Sequence, residues 1–259
     1  MAAFGVLIGY SIAAGGIVFT QSLGIAMLVT FIICGAGMAI NDVFDSKVDE
    51  KLKPEKPIPS GKISITKAMA YSVGLFVTGN LLALYYLPSQ TTIIAAVFSL
   101  LLIAYASLLP KFKYLGNWVV AAGTAFTLVF GASLFGNYET VQFFALSALL
   151  ANVAREIIKD VEDLEQDSGF KISLPMIMGE KIAKAMAISF VFVAIAASYI
   201  PALVFGFGGI LFLIVLTIAN AGFLRVVKTV LDGNIRTAQK HFKIAMLIAL
   251  FSFLLGVIA

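Results

Sequence analysis

The chain has 259 residues, of which 61% are hydrophobic and only 12% are charged, and its mean hydropathy is +1.02. A soluble domain of this size does not need so much apolar surface, so the composition excludes that class and predicts a multi-pass membrane protein. A single cysteine and a single histidine exclude an internal disulfide and a histidine-rich metal site, and a net charge of +4 does not indicate nucleic-acid binding.

Nine apolar segments are long enough to span a membrane, for which about 20 residues are needed. The first segment has no basic leader and no cleavage site, so we do not interpret it as a signal peptide, and we expect a short piece of chain upstream of Met1. The predicted fold is an all-α bundle of nine transmembrane helices, two four-helix units plus one, in a single domain over residues 1–259. The segments are 1–19, 22–46, 65–87, 91–109, 115–136, 141–161, 182–200, 205–228 and 239–258.

The connections between these segments alternate in charge. All 18 Lys and Arg residues lie in or beside the connections at 47–67, 111–113, 155–184 and 225–243. By the positive-inside rule this face is cytoplasmic, which places the N-terminus inside and the C-terminus outside. Thirteen of the 14 acidic residues lie on the same face. Because the rule barely acts on Asp and Glu, their clustering needs another cause.

The second segment ends in the run Asn41–Asp49, whose three aspartates are spaced i, i+3 and i+7. This spacing places them on one face of a continuous helix. The same spacing recurs 118 residues later, at the end of the sixth segment. One such motif alone is also typical of a solvated helix end, but two matching copies indicate paired carboxylate faces that bind Mg²⁺, which usually carries a substrate phosphate. The predicted metal ligands are Asp42, Asp45, Asp49, Asp160, Asp163 and Asp167.

Basic side chains surround the two motifs. Lys53 and Lys56 lie in a loop with three prolines, and Gly61 permits a tight turn there. Lys111 and Lys113 follow Pro110, and Arg155 and Lys159 lie one turn apart just before the second motif, where unpaired charge is costly. Carboxylates, Mg²⁺ and cations together predict a diphosphate site, and the apolar bundle beneath it suits the tail of a polyprenyl diphosphate.

These motifs resemble the two signatures of the UbiA superfamily of intramembrane prenyltransferases. The first is Asn41-Asp42-x-x-Asp45-x-x-x-Asp49 followed by Lys56-Pro57-Ile58-Pro59-Ser60-Gly61, and the second is the run Lys159–Asp167. Tyr105, Lys111 and Gly116-Asn117 are similar to the segment after the fourth helix. The sequence departs from many members at Ser46 and Lys56, where a basic residue and an arginine are common. The resemblance implies Mg²⁺, a cytoplasmic aspartate-rich cavity and prenyl transfer. The implied diphosphate-binding residues are Asn41, Lys53, Lys56, Tyr105, Lys111, Lys113, Arg155 and Lys159.

Within the superfamily, the form of the second motif and the segment Lys171–Pro175 are most similar to archaeal digeranylgeranylglyceryl phosphate synthases. This similarity implies a geranylgeranyl diphosphate donor, a geranylgeranylglyceryl phosphate acceptor in the bilayer, and no protein or nucleic-acid partner. One alternative is the same reaction with an aromatic acceptor. A second and much less favoured alternative is that the protein is a cation or phosphate transporter. We expect an aspartate to take the acceptor proton, and the sequence does not select one of the candidates Asp45, Asp49, Asp163 and Asp167.

Overall fold

The computed structural model describes residues 2–108, 112–167, 169 and 172–258, and for residues 166 and 167 it describes the backbone. Within these ranges the regular elements are all helices, apart from an isolated bridge between Phe112 and Ile172, and eight helices are long and apolar enough to cross a membrane. The helices are α1 (Ala2–Ala14), α2 (Gln21–Phe44), α3 (Ser46–Leu52), α4 (Ile65–Tyr86), α5 (Ser89–Leu108), α6 (Lys113–Ala132), α7 (Val141–Glu162), α8 (Leu164–Asp167), α9 (Leu174–Met178), α10 (Glu180–Phe205), α11 (Ile210–Leu231) and α12 (Ile235–Ile258).

Eight of the nine predicted segments correspond to these eight long helices. The prediction for the first segment, 1–19, is wrong in extent, because α1 has 13 residues and ends where Gly15 takes a positive φ of 68°. A 13-residue helix is roughly 20 Å long, which is shorter than the hydrocarbon core of a bilayer. The described residues therefore confirm a multi-pass helical bundle, and they show eight spans of full length.

Helices α1 and α6 cross with their backbones in direct contact. A Cβ atom at Gly9 would collide with the carbonyl of Leu128, and a Cβ atom at Gly131 would collide with the carbonyl of Val6. Small residues allow this close approach, which replaces hydrophobic burial as a source of helix association in a lipid environment. The contact fixes the position of α6, including the end where Lys113 begins the helix.

The two helices that bear the acidic motifs each pack against at least three other helices. Helix α7 is the more enclosed of the two, because about two-thirds of the residues in its apolar stretch are buried. It packs against α6, α10 and α12. Helix α2 packs against α1, α4 and α5. Each motif helix thus has the next long helix as a partner, α4 for α2 and α10 for α7, as expected for two related units.

Candidate active site

Both motif helices break at the middle aspartate. Helix α2 ends at Asp45 (φ −79°, ψ −3°), and α7 ends at Asp163 (φ −89°, ψ 5°). The Asp45 N–H donates to the Asn41 carbonyl at 2.8 Å, and the Asp163 N–H donates to the Lys159 carbonyl at 2.9 Å. A short helix starts at the next residue in each case. The prediction of one continuous helix through each triplet is therefore wrong, and the two motifs share the same break.

Lys56 joins the outer two aspartates of the first motif across this break. Its Nζ lies 2.8 Å from Oδ1 of Asp42 and 2.7 Å from Oδ2 of Asp49. Partial burial lowers the pKa of Lys56, but hydrogen bonds and ion pairs with these carboxylates outweigh it and raise the pKa above its usual value. Asn41 donates from Nδ2 to Oδ2 of Asp45 at 3.0 Å. The first and third aspartates thus face one point, as predicted, despite the break.

The proline loop holds Lys56 in this position. The Ser60 N–H donates to the Lys56 carbonyl at 3.0 Å, and the Ile63 N–H donates to the Pro57 carbonyl at 3.1 Å. Gly61 has a φ of 75°, a conformation that favours glycine and that confirms the predicted tight turn. The loop is therefore folded back toward α2 and α3 by its own backbone hydrogen bonds.

The second motif is also joined by a lysine, but this lysine comes from α6. The Nζ of Lys113 lies 3.0 Å from Oδ1 of Asp160 and 3.4 Å from Oδ2 of Asp163. Asp160 is fully buried, and Nδ2 of Asn117 donates to its Oδ2 at 2.7 Å. A buried carboxylate is stable only when it is paired and hydrogen-bonded. Lys113 and Asn117, one turn apart on α6, therefore supply the ion pair and the hydrogen bond that this buried carboxylate needs.

Tyr105, on α5, lies near residues of both motifs. Its hydroxyl is within electrostatic range of Asp45 in the first motif and of Asp160 in the second. The ring packs on Gly116, where an added Cβ atom would lie 2.6 Å from Cε2 of Tyr105. Gly116 therefore leaves the space that the ring occupies. This arrangement brings the two predicted motifs to the same end of the bundle.

The other predicted basic residues differ in their surroundings. Arg155 forms an ion pair at 2.6 Å with its buried neighbour Glu156, and Gln239 of α12 donates to the Arg155 carbonyl at 3.1 Å. Lys53 and Lys159 are exposed and form no ion pair among the described residues. Lys111 and the side chain of Asp167 lie outside the described residues.

The described acids of the two motifs form pairs of carboxylates and no larger cluster. No group of three or more Asp, Glu, His or Cys side chains converges among the described residues. Instead, each motif presents a pair of carboxylates that a lysine already bridges. Mg²⁺ is commonly held by one or two carboxylates together with substrate phosphates, so these oxygen-only pairs fit that ion.

Sequence reasoning did not assign a role to Asn117 beyond its place in a familiar segment, and it did not identify Gln239. Gln239 lies among the polar residues Thr237, Lys240 and His241, so no signal in the sequence points to it. Asn117 is a polar residue in an apolar stretch, and that is the signal that points to it, because a buried amide needs a partner. Asn152, another such residue, donates to the Ala148 carbonyl of its own helix at 2.9 Å. A polar residue in an apolar helix therefore does not by itself indicate a site.

Comparisons with known proteins agree with this geometry. The model of the UbiA prenyltransferase family matches residues 2–253. The chain is 37% identical over 268 residues to the digeranylgeranylglyceryl phosphate synthase of Methanosarcina mazei, covering 99% of this chain and 92% of that protein. It is 39% identical over 272 residues to the synthase of the same name from Methanococcoides burtonii, covering 99% and 95% of the two chains.

Solved structures show the same fold. A structure concerned with digeranylgeranylglyceryl phosphate synthase in membranes superposes with a TM-score of 0.87 at 33% identity, covering 99% of this chain and 93% of that chain. A UbiA homologue from Archaeoglobus fulgidus bound to GPP and Mg²⁺ superposes with a TM-score of 0.73 over 100% of this chain and 96% of that chain. Because its sequence is 17% identical, that likeness concerns the fold.

Proposed function

This chain belongs to the UbiA prenyltransferase family, and on that basis we propose that it transfers a geranylgeranyl group from geranylgeranyl diphosphate to geranylgeranylglyceryl phosphate. The product is a precursor of archaeal ether lipids. The observation that supports this reaction best is the pair of lysine-bridged acidic motifs at one end of an apolar bundle. Curated relatives named for this synthase match nearly the whole chain, which supports this acceptor over an aromatic one.

We further propose a cytoplasmic site in a single domain of nine transmembrane segments, in which residues 15–19 would extend the crossing that the short α1 begins. The exclusive placement of Lys and Arg on one face supports a cytoplasmic active site and N-terminus. The two motifs would form the walls of an aspartate-rich cavity, with Tyr105 near both. An apolar pocket deeper in the bundle is lined by Ile33, Phe98 and Phe126. These residues lie two to three helical turns below the motifs. The pocket has a volume of only about 30 Å³, so the prenyl chain of the donor would enter it only if these side chains moved apart.

The residues assigned to the donor are those of both motifs and their cations. Asp42, Asp49, Asp160 and Asp163 would hold Mg²⁺ at each motif, with contributions from Asp45 and Asp167. When bound, Mg²⁺ supplies positive charge that neutralises the departing diphosphate. Lys56 and Lys113 each pair with two of these carboxylates in the structure, and with the cation bound they would be available to contact the diphosphate oxygens. The remaining assigned diphosphate contacts are Asn41, Lys53, Tyr105, Lys111, Arg155 and Lys159.

The reaction breaks the allylic C–O bond, and the diphosphate leaves with the bonding electrons. Cations preorganised around the leaving group lower the barrier to this ionisation. The acceptor hydroxyl then forms the new C–O bond to the allylic carbon and loses its proton to a carboxylate of the site. Asp45, Asp49, Asp163 and Asp167 are the candidates for this base. Burial beside the bilayer protects the carbocation from water.

The test is diphosphate release by the purified protein in detergent with geranylgeranyl diphosphate, Mg²⁺ and each candidate acceptor. We expect release with geranylgeranylglyceryl phosphate, none with an aromatic acid, and none after chelation. Asp45→Ala and Asp163→Ala should abolish turnover while the protein remains folded. Asp232→Ala is the matched control, because Asp232 is an exposed aspartate that also ends a long helix. Full activity in either motif variant would contradict the proposed site.

A further inference from the structure

A second pocket lies beside the first acidic motif. It has a volume of about 400 Å³, within the range of roughly 300–1,000 Å³ typical of small-molecule sites. Its walls come from the ends of α2 and α3, from the proline loop and from the first two turns of α4. Most of the lining is apolar, and four charged side chains are grouped in it. The lining residues are Ala39, Asp42, Asp49, Lys56, Pro57, Ile58, Pro59, Ile63, Lys67, Ala68 and Tyr71.

The α4 side of this pocket is positively charged. Lys67 lies in the first turn of α4, and its N–H donates to Oγ of the N-cap residue Ser64 at 3.3 Å. A helix N-terminus carries partial positive charge, so a lysine there adds to the potential instead of balancing it. Among the residues that the structure describes, Lys67 forms no ion pair. The pocket therefore offers an anion a cation that no described carboxylate already neutralises.

The opposite wall of the pocket belongs to the proposed catalytic site. Asp42, Asp49 and Lys56 line the pocket and also form the bridged carboxylate pair of the first motif. A headgroup with its anion near Lys67 would extend toward these carboxylates. A hydroxyl at the other end of that headgroup would then lie beside Asp49, one of the candidates for the base that accepts its proton.

The pocket also has an apolar exit. Tyr71, one turn after Lys67 on α4, is 63% exposed, and Ile63 and Ala68 continue the apolar wall. Tyrosine at a membrane boundary places an apolar ring toward lipid and a polar hydroxyl toward water. A ligand with a charged headgroup and a long hydrocarbon chain therefore fits this pocket better than a small water-soluble anion does.

We propose that this pocket binds the phosphate monoester of the glyceryl lipid acceptor, and that Lys67 selects a phosphorylated acceptor over an unphosphorylated one. This inference rests on the proposed function. It assigns the donor diphosphate and the acceptor phosphate to different lysines. Lys56 and Lys113 serve the donor, and Lys67 serves the acceptor.

The test compares two acceptors, geranylgeranylglyceryl phosphate and its dephosphorylated alcohol, in non-ionic detergent without added lipid. In Lys67→Gln, we expect kcat/KM for the phosphorylated acceptor to fall about fivefold to tenfold relative to the alcohol, because one charge-assisted contact is lost. The KM for geranylgeranyl diphosphate should not change. Lys67→Arg should retain most of the preference. Lys62→Gln is the control, because Lys62 is an exposed lysine of the same connection that does not line the pocket.

Several outcomes would overturn the assignment. An unchanged preference in Lys67→Gln would remove Lys67 from the acceptor site, and an equal loss for both acceptors would assign it a structural role. If Lys67→Gln altered turnover only after phosphatidylglycerol was added to the micelles, the pocket would bind lipid headgroups in general. Failure of the unaltered protein to use the phosphorylated acceptor would instead overturn the proposed function. The unaltered protein is therefore assayed first, before any variant.

Discussion

Replacing Gly116 by alanine tests how the structure positions Tyr105 near the two motifs. The new Cβ atom would lie 2.6 Å from Cε2 of Tyr105, whereas ordinary contacts begin at 3.4 Å, so the ring must move by about 0.8 Å. Overpacking of this kind typically costs about 1–3 kcal/mol. Because alanine also favours the helix by up to about 1 kcal/mol, the cost must be read against another glycine-to-alanine change.

Gly74→Ala supplies that comparison, since Gly74 is helical and exposed and a Cβ atom there meets nothing within 4 Å. Relative to Gly74→Ala, Gly116→Ala should lower the midpoint of thermal unfolding in detergent by roughly 2–12 °C. It should also reduce diphosphate release by about tenfold or more, because a shift of about 1 Å disrupts a positioned group. In a Tyr105→Ala background the stability cost of Gly116→Ala should vanish. Equal midpoints and full activity in Gly116→Ala would refute the described packing.

Three further predictions concern stability. Asn117→Leu and Asp160→Asn should show a coupling free energy of about 1.5–3 kcal/mol in a double-mutant cycle by thermal unfolding, and additivity within 0.5 kcal/mol would contradict their hydrogen bond. The raised pKa of Lys56 means that its ion pairs stabilise fully below about pH 10.4 and are lost as the pH rises through the higher folded value. The free energy of unfolding, measured from pH 9 to 12, should therefore decline in the unaltered protein, and the part of this decline that is due to Lys56 should be absent in Lys56→Met. Gly131→Ala should destabilise strongly, by about 3 kcal/mol, because the Val6 carbonyl that it meets is backbone and cannot turn aside. A midpoint equal to that of Gly74→Ala would contradict this contact.

The sequence was sufficient to predict the long helices because hydrophobic length is a local property. The sixth predicted segment, 141–161, differs by one residue from helix α7. The first segment was predicted too long, although Gly15 offered a helix-ending signal that a purely hydropathic assignment does not use. No proline or glycine lies next to Asp45 or Asp163, so the sequence carries no helix-ending signal at either break. The breaks depend on packing that a one-dimensional pattern does not contain.

The site was predictable in its acids and less so in its cations. Asp42 and Asp49 were expected to lie on one face, and in the structure both carboxylates form ion pairs with the Nζ of Lys56. The pairing of Lys113 with Asp160 joins residues 47 positions apart on two helices, so only the packing of α6 on α7 reveals it. The same holds for Asn117, whose amide reaches Asp160 across that interface. Pairings between helices are set by tertiary contacts, and sequence spacing cannot specify them.

The acids of the two motifs repeat, but the lysines that bridge them do not. The position 118 residues after Lys56 is Leu174, and Lys113 precedes its motif instead of following it. One lysine is on a loop beside an open pocket, whereas the other is mostly enclosed at the start of α6. A reaction between two identical ligands would need no such difference. Two unlike lipids do need it, because only one side of the acidic framework has to admit the acceptor. In the proposed assignment both lysines serve the donor diphosphate, and the acceptor enters through the open pocket beside Lys56, where its phosphate meets Lys67. Aspartates that repeat between the two motifs, together with lysines that do not, are therefore what we expect of a site that joins two unlike lipids.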